Sequence, residues 1–100
     1  MNNVDALMKK IDDDLVIVGV IGLGYVGLPL AVSFARKNIA VIGFEKSAKK
    51  ADSVNKGQNY IGDVDDEELV KVVKSRKLVA TTDFTRIKEC DAIIICVPTP

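Results

Sequence analysis

Histidine and tryptophan are both absent from the 100 residues, and the only aromatic side chains are three Phe and two Tyr. Without histidine, Cys90 and Cys96 have no imidazole to serve as base or partner, which argues against a thiol nucleophile. Two thiols also cannot build a structural zinc site alone, and they do not form a C-x-x-C pair. Both are expected to be buried, reduced side chains. Neither sign of charge is in excess, since 14 Lys and Arg balance 14 Asp and Glu. That balance gives no reason to expect nucleic acid or an anionic membrane as partner. Long hydrophobic runs are missing too: the longest are too short to span a bilayer, and the first residues are polar and acidic, unlike a signal peptide. The expectation is a cytoplasmic protein. Internal repeats and low-complexity tracts are absent as well.

What is present is an apolar fraction of 48%, enough for one domain with a real core. Its organising stretch is residues 16–31. An unbroken apolar run, Val16 to Ile21, leads into Gly22-Leu23-Gly24-Tyr25-Val26-Gly27, and an apolar, helix-compatible segment follows. Strand, glycine turn and helix in that order are the context that a dinucleotide-binding G-x-G-x-x-G requires. In that reading Gly22 permits the tight turn, Gly24 lets the backbone approach a pyrophosphate, and Gly27 lets helix and strand pack closely. The unpaired amides and positive end of the helix would face the phosphates.

A bare glycine pattern also suits a tight turn with no ligand. The second strand, Ile39 to Phe44, favours the dinucleotide reading because it ends at Glu45, close to the roughly 20-residue offset of the acid that binds the adenosine ribose. A carboxylate there accepts from the ribose hydroxyls and repels the 2′-phosphate of NADP.

The rest of the chain alternates in the same way. Residues 3–15 carry Val4, Leu7, Met8, Ile11 and Leu15 at helical spacing, which sets residues 1–14 apart as an amphipathic helix before a domain over 15–100. Pro29 falls in the first turn of the helix that runs from about Tyr25 or Val26 to Lys37, where its missing N–H breaks no bond. Leu30, Ala31, Phe34 and Ala35 are expected to form that helix's apolar face. Ser47 should cap a short helix that stops at Gly57, and residues 57–64 read as a loop. Asp65, with Glu68 three residues on, should open another helix. A short strand over 78–81, a small helix capped at Thr82 or Asp83, and a strand over 92–97 complete the pattern. Strands 15–21 and 92–97 are apolar on both faces, as in a covered parallel sheet.

The order β-α-β-α-α-β-α-β predicts an α/β Rossmann-type parallel sheet of strand order 3-2-1-4, incomplete, with helices on both faces. An apolar final strand would leave a bare sheet edge. The chain is therefore expected to be the N-terminal piece of a longer protein, or to have that edge covered by another chain.

Gly22-Leu23-Gly24-Tyr25-Val26-Gly27-Leu28-Pro29-Leu30-Ala31 and the later Ile94-Ile95-Cys96-Val97-Pro98-Thr99-Pro100 together resemble the N-terminal part of the UDP-glucose/GDP-mannose dehydrogenase family. Within it, Asn59-Tyr60-Ile61-Gly62-Asp63-Val64 with Glu67-Glu68-Leu69 looks most like the UDP-N-acetylglucosamine (or N-acetylmannosamine) 6-dehydrogenase branch. The resemblance implies a homo-oligomeric, NAD-dependent parent enzyme. That enzyme would oxidise the C6 alcohol of a UDP-sugar to a carboxylate in two steps, through a thiohemiacetal on a cysteine of a downstream G-G-S-C-type motif. No catalytic residue of that family falls within these residues. It further implies that Gly22, Gly24, Tyr25, Val26 and Gly27 frame the pyrophosphate, that Glu45 stands where aspartate is usual, and that Lys50 lies toward the adenosine end and Thr99 toward the nicotinamide. For Lys46, Lys49 and Lys50 a solvated helix face is the alternative. Two other classes stay open: a stand-alone dinucleotide-binding module without catalysis, and another Rossmann dehydrogenase such as a 3-hydroxyacid enzyme, against which Tyr25-Val26 counts.

Overall fold

The computed structural model describes residues 16–62 and 64–96. The helix expected over 3–15, the end of the last strand and Thr99 lie outside the described residues. Four parallel strands form one sheet in the order β3-β2-β1-β4. They are β1 (Ile17–Ile21), β2 (Ala40–Phe44), β3 (Leu78–Thr81) and β4 (Ala92–Ile95). The helices are α1 (Gly27–Arg36), α2 (Ala48–Asn55) and α3 (Asp66–Lys74), with a 3₁₀ helix over Phe84–Glu89 before β4. In register, β1 sets Val18 beside Val41 on one side and Ala92 on the other. The order 3-2-1-4 is therefore as expected from right-handed crossovers.

One cluster of buried side chains joins alternate sheet positions Val18, Val20, Val41 and Leu78 to all three α-helices. On α1 the buried residues are Gly27, Leu28, Ala31, Val32 and Ala35, while Leu30 and Phe34 are only half-buried. The expected apolar face thus turns by part of a helical step, because 28, 31, 32 and 35 form the stripe that lies flat on β1 and β2. Leu69 and Val72 supply the buried stripe of α3.

The opposite sheet face carries the 3₁₀ helix and Cys90 after it. Phe44 on that face meets Phe84 of the 3₁₀ helix, ring centroids 5.7 Å apart. A Cβ on Gly19 would sit 2.7 Å from Ile93 Cδ1 and 2.9 Å from Cys90 Sγ, so glycine is what lets β4 and the 3₁₀ segment close over β1. Beyond that cover the face opens, and β4 alternates: Ala92 and Ile94 are half-buried, whereas Ile93 and Ile95 are 37% and 67% exposed. The expectation of a last strand covered on both faces is corrected here. Both cysteines are free thiols, as expected, but only partly buried, which corrects the expectation of full burial.

The helix starts follow their capping residues. Ser47 Oγ accepts from the Lys50 amide at 3.3 Å, and Asp65 Oδ1 accepts from the Glu67 and Glu68 amides at 2.9 and 3.2 Å. Glu68 carries its own carboxylate to Arg36, Oε1 to Nε 3.3 Å, tying α3 to the end of α1. Helix α1 differs. Its N-cap is Val26, which makes no side-chain cap bond, so its start lacks the usual side-chain acceptor among the described residues.

Candidate functional site

An uncapped helix start at the carboxyl end of a central parallel strand is where an open α/β sheet binds its ligands. The cleft at this place is lined by Gly22, Gly24, Tyr25 and Val26 from the loop, Glu45 from the end of β2 and Ile95 from β4. It lies where the chain leaves β1 for β2 on one side and later returns to β4 on the other, which is the topological switch point.

The three glycines occupy different environments. Gly22 has φ +94°, a conformation few side chains adopt, and its amide donates to the Phe44 carbonyl at 2.8 Å. A Cβ on Gly27 would lie 1.6 Å from the Gly22 carbonyl oxygen, so the two ends of the loop touch through backbone. A Cβ on Gly24 would meet nothing within 4 Å. The loop is therefore closed at its ends and open at its centre. The Tyr25 and Val26 side chains are 79% and 67% exposed beside that opening. The Leu28 amide already reaches the Gly24 carbonyl at 3.1 Å. No described residue accepts from the amides of Gly24, Tyr25 or Val26. Three adjacent donors without acceptors, over a space that a side chain on Gly24 would fill, fit the phosphates of a dinucleotide.

Glu45 sits at the wall of this cleft. Its Oε1 accepts from the Leu23 amide at 3.2 Å and its Oε2 from the Ser47 amide at 2.8 Å. The side chain expected as a ribose ligand therefore also fastens the glycine loop to the β2–α2 connection. Each carboxylate oxygen keeps a further lone pair for another donor. Lys46, Lys49 and Lys50 are exposed and line the same cleft, so the solvated face and the cleft wall are one surface.

Tyr60 is the residue that sequence reasoning missed. Its hydroxyl donates to the Leu23 carbonyl oxygen at 2.6 Å, and Lys50 Nζ lies 6.0 Å from the centre of its ring. Burial, and after it the Glu45 carboxylate, pushes its pKa from 10.0 up to about 12, so the hydroxyl stays a donor at ordinary pH. Asn59 builds the loop that holds it: Asn59 Oδ1 accepts from the Ile61 amide at 2.8 Å, and Nδ2 donates to the Val64 carbonyl and Asp66 Oδ1. Its signals in the sequence were an aromatic residue set in a polar loop and its place in the 59–64 stretch that carries the branch resemblance. Cys90, by contrast, has its thiol pKa raised, by burial first and then by the Glu89 carboxylate, which disfavours the thiolate. No group of three metal-binding side chains occurs among the described residues.

Residues 16–100 match the NAD-binding domain of the UDP-glucose/GDP-mannose dehydrogenases. The chain belongs to that family. NAD is the cofactor of the matched domain. Among curated relatives, a Salmonella typhi UDP-N-acetyl-D-glucosamine 6-dehydrogenase is 42% identical over 87% of this chain and 20% of its own length. A Campylobacter jejuni UDP-N-acetyl-D-mannosamine dehydrogenase is 43% identical over 83% of this chain and 20% of its own. The crystal structure of a GDP-mannose dehydrogenase ternary complex from Pseudomonas aeruginosa superposes with a TM-score of 0.79 at 33% identity, covering 83% of this chain and 20% of that one. The chain thus spans about a fifth of the length of the relatives it matches.

Proposed function

We propose that this chain is the cofactor-binding part of a cytoplasmic, homo-oligomeric nucleotide-sugar 6-dehydrogenase that uses NAD⁺ to oxidise the C6 alcohol of a UDP-sugar to a carboxylate, a reaction suited to polysaccharide biosynthesis. The observation that carries the reading is the open centre of the glycine loop, with three amides that no described residue accepts from, beside Glu45. Family membership supports the reaction class, and the curated relatives named for UDP-N-acetyl sugars support that choice of substrate. No helix among the described residues is long and apolar enough to cross a membrane. We also propose that residues 1–14 form a separate amphipathic helix ahead of the domain.

In this reading Gly22 and Gly27 close the loop, and Gly24, Tyr25 and Val26 present their amides to the pyrophosphate. Glu45 accepts from the adenosine ribose and disfavours a 2′-phosphate. Lys50 stands toward the adenosine end, and Thr99 toward the nicotinamide. When bound, NAD⁺ supplies the hydride acceptor for oxidation of the alcohol. Calorimetric titration with NAD⁺ and NADP⁺ tests the assignment. Saturable binding that prefers NAD⁺ is the expected result, and a folded chain that binds neither would overturn the site.

A further inference from the structure

Two consecutive peptide units of the glycine loop are held from outside it. The Leu23 amide is bound by Glu45 at 3.2 Å, and the Leu23 carbonyl is bound by the Tyr60 hydroxyl at 2.6 Å. The Leu23 side chain is fully buried, and its Cδ1 would lie 2.7 Å from a Cβ on Gly43, so it packs directly on the β2 backbone. Leu23 is thereby fixed at its amide, its side chain and its carbonyl. No cis peptide occurs among the described residues. In a trans peptide the carbonyl and the following amide point in opposite directions. Whatever holds the Leu23 carbonyl therefore also sets the direction of the Gly24 N–H, the first of the three amides without an acceptor.

We infer that Tyr60 is a positioning residue of the cofactor site: its hydroxyl, through the Leu23–Gly24 peptide, aims the Gly24 amide at the pyrophosphate. The inference rests on the dinucleotide reading of the cleft. Without the hydroxyl, the Leu23 carbonyl loses its partner and the peptide can rotate, since glycine on its far side resists little. Rotation would turn a donor away from the phosphates, and with the wrong sense would present them with a carbonyl oxygen. The remaining amides, Tyr25 and Val26, belong to the following turn and are not reached by Tyr60. The effect is thus confined to ligands that carry phosphates.

The test compares NAD⁺, ADP and adenosine on the unaltered chain and on Tyr60→Phe, which keeps the ring and removes only the hydroxyl. NAD⁺ and ADP should bind about 3- to 10-fold more weakly to the variant, the scale of one hydrogen bond, with adenosine affinity unchanged. Equal losses for all three ligands would mean that Tyr60 merely supports the fold, and no loss would mean that it does not orient the loop. Either result overturns the inference while leaving the dinucleotide site standing, whereas an unaltered chain that binds neither NAD⁺ nor ADP removes both. Nitrogen-edited NMR of the unaltered chain gives a check that does not depend on how the variant folds. Saturating ADP should shift the Gly24 amide and protect it from exchange, and adenosine should leave it in place. A Gly24 amide unmoved by ADP overturns the inference.

Discussion

The Glu45 carboxylate and the Leu23 amide, 22 residues apart in the chain, meet at 3.2 Å, and through this bond the cleft wall holds the glycine loop. Glu45 therefore acts on the loop as well as on any ribose beside it. Glu45→Ala should weaken NAD⁺ binding by at least about tenfold, because a hydrogen bond to a charged group contributes roughly 1.5–3 kcal/mol. It should also narrow the preference for NAD⁺ over NADP⁺. Paired calorimetric titrations read both effects, and an unchanged affinity ratio would show that Glu45 is not the ribose ligand.

The glycine environments separate folding from binding. Gly24→Val should leave the melting temperature nearly unchanged, since the space beside Gly24 is open, yet abolish dinucleotide binding by filling it. Gly27→Ala should do the reverse of what its small size suggests. The new methyl would meet the Gly22 carbonyl at 1.6 Å, a backbone contact that no rotamer relieves. A loss of about 2–3 kcal/mol in denaturant unfolding is expected, in the upper part of the overpacking range.

Tyr60 makes the fold sensitive to alkali. Its pKa is raised from 10.0 to about 12 in the folded chain. The folded state then holds its proton where the unfolded chain has lost it. This stabilisation is complete below pH 10 and is lost as pH climbs from 10 toward 12. Urea midpoints measured across that window should fall with pH, and Tyr60→Phe should flatten the slope.

Asn55 closes the outer edge of the sheet. Its Nδ2 donates to the Ala80 carbonyl at 2.8 Å, and its Oδ1 accepts from the Ala80 amide at 2.9 Å, so one side chain pairs with the edge of β3 as a neighbouring strand would. Asn55→Ala strips both bonds and should cost about 1–2 kcal/mol. Chemical denaturation measures it, and amide exchange at Ala80 should accelerate in the same variant.

Arg76 follows α3 with φ 60°, in the left-handed region. Glycine adopts that conformation without strain. Arg76→Gly should raise stability by about 0.5–1 kcal/mol, the roughly 1–2 kcal/mol cost of the left-handed conformation less the entropy glycine loses on folding. A lower melting temperature would mean that the arginine side chain matters more than its backbone.

The strands, the helices and their order were legible because each rests on local chemistry. Ser47, Asp65 and Asp83 cap the segments they precede. The apolar runs at 17–21 and 40–44 can only be sheet interior, and crossover handedness then dictates 3-2-1-4. The glycine loop and Glu45 were legible for the same reason, since spacing along the chain places them together at one strand end.

What spacing does not carry is the partner of a side chain brought in from elsewhere. Tyr60 against Leu23, Asn55 against Ala80 and Glu45 against the Leu23 amide are separated by 37, 25 and 22 residues. No periodicity links such pairs, because they exist only once the sheet has brought the loops to one end. The exposure of β4 belongs with them: its residues are as apolar as those of β1, yet Ile95 stands 67% open while Val20 is sealed. Apolar pattern states what a strand can bury, and only its neighbours in space decide what it does bury. The sequence by itself therefore determined the elements, their order and the place of the loop, and tertiary contact alone decided how that loop is held.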